Sequence, residues 1–178
     1  RTRRDRRRRR SRPGAVLVTH PGPVAVHLHH GMTGTYPLRV LDVLFCHDRA
    51  VAVEYAYATP LDLATGGHRR RADAFAATLD SEGLTAALDS ARECREMPYE
   101  RLDAVHVFDG GLFGRKKVRL ETTDGDSLGL RVHAPLDVDA FTDALRSVLA
   151  AHSTTVERRD GLGLFASSPD PPVGGSSP

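Results

Sequence analysis

The 178-residue chain contains no tryptophan, two lysines and two cysteines. Without Trp, any core must rest on Val, Leu, Ala and a few Phe and Tyr. Cys46 and Cys94 lie far apart and fit no CxxC spacing, which excludes a cysteine-rich zinc module and a disulfide framework. No apolar run reaches the roughly 18 residues that a spanning helix needs. Arg3-Arg4 opens a run like a twin-arginine signal, but the apolar stretch that should follow is cut by Thr19-His20-Pro21. The expected compartment is therefore the cytoplasm, with contact to a membrane limited to its periphery.

Signatures of catalysis are missing as well. Ser81, Ser90 and Ser127 stand in no nucleophile-elbow context, and Asp124-Gly125-Asp126 lacks the ligand spacing and final Glu of a calcium loop. The glycines at Gly110-Gly111 are followed by no Gly-Lys-Ser/Thr, so there is no P-loop. These absences lead to the expectation of a protein that is not an enzyme and carries no cofactor.

What is present divides by charge. Residues 1–12 hold nine Arg and one Asp, a net of +8, whereas the whole chain carries +2. The other 166 residues therefore carry −6. A basic arm, expected to be disordered, precedes an acidic, Lys-poor, Ala- and Val-rich body. That composition fits a high-GC, salt-adapted, archaeal source. Ser167 to Pro178 is a Pro/Gly/Ser tail, too polar to pack. The expected organisation is an arm over 1–14, one domain over 15–165 and a disordered tail over 166–178.

Within the body, Val24, Val26 and Leu28 alternate with Ala25, His27 and His29, as in a half-buried strand. Leu38 to Cys46 is a strongly apolar strand, and Ala50 to Ala58 returns after His47-Asp48-Arg49 as a hairpin. Leu61 to Gly67 reads as a loop. Ala72, Phe75, Ala76 and Leu79 form a helical stripe, Gly83 interrupts it, and a second helix is expected from Leu84 to Cys94. Pro98 closes this helical segment, which occupies about 60–97. Three short strands follow, anchored by Leu102, Val105 and Val107, by Val118 and Leu120, and by Leu128, Leu130 and Val132. Asp137 then caps a helix carrying Val138, Phe141, Leu145 and Val148 at spacings of three and four.

The phrase Met97-Pro98-Tyr99-Glu100-Arg101-Leu102-Asp103-Ala104-Val105 resembles the opening of the second sheet in pleckstrin-homology-like domains, specifically their GRAM-like and prokaryotic relatives. The hairpin of Leu38–Cys46 with Ala50–Ala58 is similar to that fold's first sheet. The stretch Glu54-Tyr55-Ala56-Tyr57-Ala58-Thr59-Pro60 is similar to a phrase of uncharacterised haloarchaeal proteins. The resemblance covers residues 24–152 and implies an α+β fold: an antiparallel barrel or two small sheets, a helical insertion, and a C-terminal capping helix. It also implies binding of lipid, peptide or protein, and carries no ligand residues with it.

Four groups stand out as candidate sites. Gly110 to Lys117 places Leu112 and Phe113 at a loop tip and Arg115, Lys116 and Lys117 just behind it, a pattern suited to an anion or an anionic membrane surface. The arginine arm, including Arg6, Arg7, Arg8, Arg9 and Arg10, suits phosphate contact with nucleic acid, although no aromatic residues interleave to stack on bases. His68-Arg69-Arg70-Arg71 follows Gly66-Gly67 at a helix start. His27 and His29 share one strand face next to His30, but no further ligand stands at a recognisable spacing, so no metal is assigned. The leading expectation is a non-catalytic binding or scaffold domain that contacts an anionic surface or a protein partner. The alternative is a nucleic-acid-associated or regulatory protein acting through the arm.

Overall fold

The computed structural model describes residues 23–112 and 114–161. The arginine arm, Phe113 and the Pro/Gly/Ser tail lie outside the described residues. The rest is an α+β structure built on eight strands: β1 (Val24–Thr33), β2 (Leu38–Cys46), β3 (Arg49–Ala58), β4 (Glu93–Pro98), β5 (Leu102–Phe108), β6 (Lys117–Thr122), β7 (Ser127–Val132) and β8 (Thr155–Arg159). Helices α1 (Pro60–Thr65) and α2 (Gly67–Asp89) separate β3 from β4, and α3 (Val138–Leu149) separates β7 from β8.

The strands form one open sheet in the order β4-β3-β2-β1-β7-β6-β5-β8. Two antiparallel meanders, β1 to β4 and β5 to β7, meet through two rungs, Gly31 with Val132 and Met32 with Arg131. The two small sheets expected from the sequence are thus joined at one seam. β8 adds a parallel strand beside β5.

β2 reads as almost continuously apolar because both its faces are covered. Leu41, Val43 and Phe45 join the main core with Tyr99, Phe141 and Leu145, which α3 seals. Leu44 and Cys46 join a second core with Phe75, Leu79 and Ala87 under α2. Asp137 caps α3 as expected, its carboxylate accepting from the Ala140 N–H at 3.0 Å.

The helical segment differs from the sequence reading at both ends. The expected loop after Thr59-Pro60 is α1, which begins with a capping box: the Thr59 hydroxyl accepts from the Asp62 N–H, and the Asp62 carboxylate accepts from the Thr59 N–H. Gly83 does interrupt the next helix, with φ 88°. The second half, however, stops at Asp89, and Cys94 lies on strand β4, not on a helix. Backbone pairing of Glu93–Pro98 with Arg49–Glu54 holds β4 as an edge strand. Its side chains are mostly exposed and charged, so no apolar alternation marks it. No helix among the described residues is long and apolar enough to cross a membrane.

Candidate functional site

A β-bulge in β1 builds the site. Leu28 pairs with Val43 and Gly31 with Leu41, so His29 and His30 together oppose the single residue Asp42. Such an insertion re-aims neighbouring side chains. His30 takes φ 56°, in the left-handed region that residues other than glycine visit rarely. This turn sends the His30 N–H to Asp42 Oδ1 at 2.7 Å. The hydroxyl of Tyr55, on β3, donates to the same oxygen at 2.9 Å. The other oxygen, Oδ2, receives His27 Nε2 at 2.6 Å and His29 Nδ1 at 2.9 Å. Asp42 is fully buried, and α2 roofs it through Phe75 stacked on Tyr55 at 4.8 Å.

Electrostatics keep this carboxylate ionised. Burial alone would raise its pKa, but the hydrogen bonds and charge of His27 and His29 outweigh burial and hold it at about 2. Burial likewise opposes the charged form of His29, yet Asp42, assisted by Asp73, raises its pKa above the usual histidine value.

The His30 ring leaves this hub on its far side. Its Nε2 shares a hydrogen bond of 2.9 Å with Nδ1 of His68, at the start of α2. His133, just after β7, completes a trio of rings, with centroids 5.4 Å from His30 and 5.9 Å from His68. Burial is the main reason that His30 and His133 are both held at a pKa of about 4. The charges of His29 and His68 add to this at His30, and those of Arg115, His30 and His68 at His133. Beside the trio runs an open cleft of about 440 Å³, walled by His29, His30, His133, Arg69, Arg115 and Lys116, with Asp73 as its one carboxylate.

The expected basic loop therefore divides. Arg115 and Lys116 reach the cleft, and Lys116 donates to the carbonyl of Leu136. Lys117 opens β6 and is not part of the cleft wall. Leu112 projects into solvent, 94% exposed. Gly110 makes the loop possible: at φ 85°, a side chain there would meet the Gly114 carbonyl at 2.6 Å. Asp109 clamps the base by accepting from the N–H groups of Gly111 and Gly161. Of the helix-start arginines, Arg69 faces the cleft, whereas Arg71 pairs with Asp62 at 2.9 Å.

Two residues that carry this arrangement, Asp42 and His133, stand in no candidate group of the sequence, and His68 stands in one without its partners. Asp42 is a lone carboxylate in the apolar run Leu-Arg-Val-Leu-Asp-Val-Leu-Phe-Cys, and that mismatch was its signal. His68 and His133 gave no sign of meeting His30, because 38 and 103 residues separate them from it in the chain. Cys46 pairs with Val24, at the start of β1.

No family model and no curated protein matches this chain. Among solved structures, the hSac2 domain from human phosphoinositide phosphatase Sac2 is similar over 80% of each chain, at 12% identity and a TM-score of 0.46.

The histidine trio gives the fold a defined acid sensitivity. His30 and His133 have lowered folded-state pKa values, so the unfolded chain binds more protons between about pH 6.5 and 4. The contribution of these two rings is complete above that window and falls as the pH drops through it, whereas that of His29, whose pKa is raised, is lost as the pH rises. Asp42 acts one step lower: its contribution is lost as the pH falls from the ordinary carboxylate range toward 2. After discounting for solvent, roughly 1–3 kcal/mol should disappear between pH 6.5 and 4. Thermal melts across that range should show the fall, and His133→Gln should flatten it. A melting temperature independent of pH would show that the two rings are not held neutral.

Proposed function

We propose that this chain is a non-catalytic binding domain that docks on an anionic membrane surface, receiving a headgroup phosphate in the cleft under the β5–β6 loop. The observation that carries this reading is Arg115. It is exposed at the cleft and pairs with no carboxylate among the described residues. Lys116 adds a second positive charge, and His29, whose pKa is raised, adds another on acidification. Arg69 is partly offset by Asp73, 4.0 Å away. Leu112 supports a membrane over a soluble anion, because an exposed apolar tip next to cations suits the boundary between headgroups and acyl chains.

Co-sedimentation with vesicles containing phosphatidylserine tests the reading. Arg115→Glu in the full chain should weaken vesicle binding roughly thirtyfold, from about 1 kcal/mol for the lost cation and about as much again for its reversal. Leu112→Ser should weaken it several-fold. Arg146→Glu, on the exposed side of α3, should have little effect. Wild-type binding should strengthen as the pH falls through the raised pKa of His29, with little further gain down to about pH 5, because His30 and His133 are held at about 4. Competition by inorganic phosphate at low millimolar levels would point to a soluble ligand in place of a surface. If removal of residues 1–12 abolishes binding while Arg115→Glu leaves it intact, the arm carries the interaction and this reading fails.

A further inference from the structure

We propose that His27, His29 and Asp42 form a site for a divalent transition ion of the zinc class. His27 Nε2 and His29 Nδ1 converge on one oxygen of Asp42, and the three donor atoms lie within 4.8 Å of one another. An ion with ligands at about 2.0–2.2 Å holds neighbouring donors roughly 3.3 Å apart in a tetrahedron. At 2.6 and 2.9 Å from Oδ2, the two nitrogens must draw back by about 0.4–0.7 Å to admit the ion.

The surroundings have the form of a supported ligand set. Asp42 Oδ1 is already held by the His30 N–H and the Tyr55 hydroxyl, which leaves Oδ2 aimed at the two imidazoles. His29 keeps its other nitrogen, Nε2, 3.6 Å from Asp73, where it retains a proton while Nδ1 offers its lone pair. Two imidazoles with one carboxylate favour zinc, cobalt, nickel or copper over calcium or magnesium, which prefer all-oxygen sites. Access has a direction as well. The Asp42 side chain is 0% exposed and that of His27 5%, whereas His29 is 26% exposed and forms part of the cleft wall. Three protein ligands on a buried floor leave the fourth position facing the cleft, where water completes the set. The bulge that places His29 and His30 opposite one residue is what brings His29 into line with His27 and Asp42.

This inference does not rest on the anion reading, since Arg115 takes no part in it. The test uses the full chain, stripped with a chelator and titrated with Zn²⁺ against a chromophoric competitor, with Co²⁺ as a spectroscopic probe. One equivalent of Zn²⁺ should bind at micromolar concentration or tighter. His29→Ala should weaken it by roughly a hundredfold. Cys94→Ser, His68→Ala and Arg146→Glu should bind as wild type does. Co²⁺ should give visible bands of nitrogen and oxygen ligation without a thiolate charge-transfer band, a readout on the wild type that does not depend on any variant folding. Substoichiometric Zn²⁺, wild-type affinity in His29→Ala, loss of binding in Cys94→Ser or His68→Ala, or a thiolate band would each overturn the proposal.

Discussion

Asp42→Ala should lower the unfolding free energy of metal-free protein by about 3–5 kcal/mol, the range for removing one partner of a buried charged network. The alanine leaves four donors facing an empty space: His27 Nε2, His29 Nδ1, the Tyr55 hydroxyl and the His30 N–H. Each loses its acceptor on a sheet face roofed by α2, where water cannot fully replace it. Because a typical domain has about 5–15 kcal/mol in total, the variant sits near its folding limit. Asp42→Asn should cost less. Its carbonyl still accepts from Tyr55 and His30, but its amide presents hydrogens to two imidazoles that were donating. Urea titration separates the cases: the midpoint should fall with little change in slope for both variants, further for alanine. A loss below about 1 kcal/mol for Asp42→Ala would mean that the four donors find other partners, and the hub would then not hold the bulge.

The second large effect belongs to the opposite face of the sheet. Phe141→Ala should cost about 3–5 kcal/mol through lost burial and the cavity it leaves. Phe141 is 1% exposed and meets the Phe45 ring edge-on at 6.3 Å, so it ties α3 to the C-terminal end of β2. A surface change on the same helix makes the contrast. Asp139 bonds Arg158 at 2.7 Å, but both are exposed, and Asp139→Ala should cost no more than about 1 kcal/mol. Equal effects from the two substitutions would show that α3 rests on the sheet without sealing its core.

The parts of the fold legible in the sequence are those where one local rule dominates. Val138, Phe141 and Leu145 share a helical stripe behind the Asp137 cap, and all three are buried. The hairpin of β2 with β3 follows from two apolar runs and a two-residue connection. Gly83 breaks α2 because its backbone takes a conformation that side chains disfavour. β4 was misread because an edge strand is held by main-chain bonds, which charged side chains do not betray. β8 rests on a parallel pairing with β5 that spans the whole of α3, which no local pattern marks.

The candidate site was legible by halves. Alternation along β1 put His27 and His29 on one face, and the glycines and cations at 110–117 marked a loop able to meet an anion. Nothing local could place Asp42 beneath those histidines, bring His68 and His133 to His30, or set Arg115 against them. Sequence alone determined which residues alternate, which turn and which carry charge, because those properties depend on neighbours within a few positions along the chain. Tertiary structure decided which of those groups share a space. A one-residue bulge shifts register, and register selects the strand partner that each side chain faces.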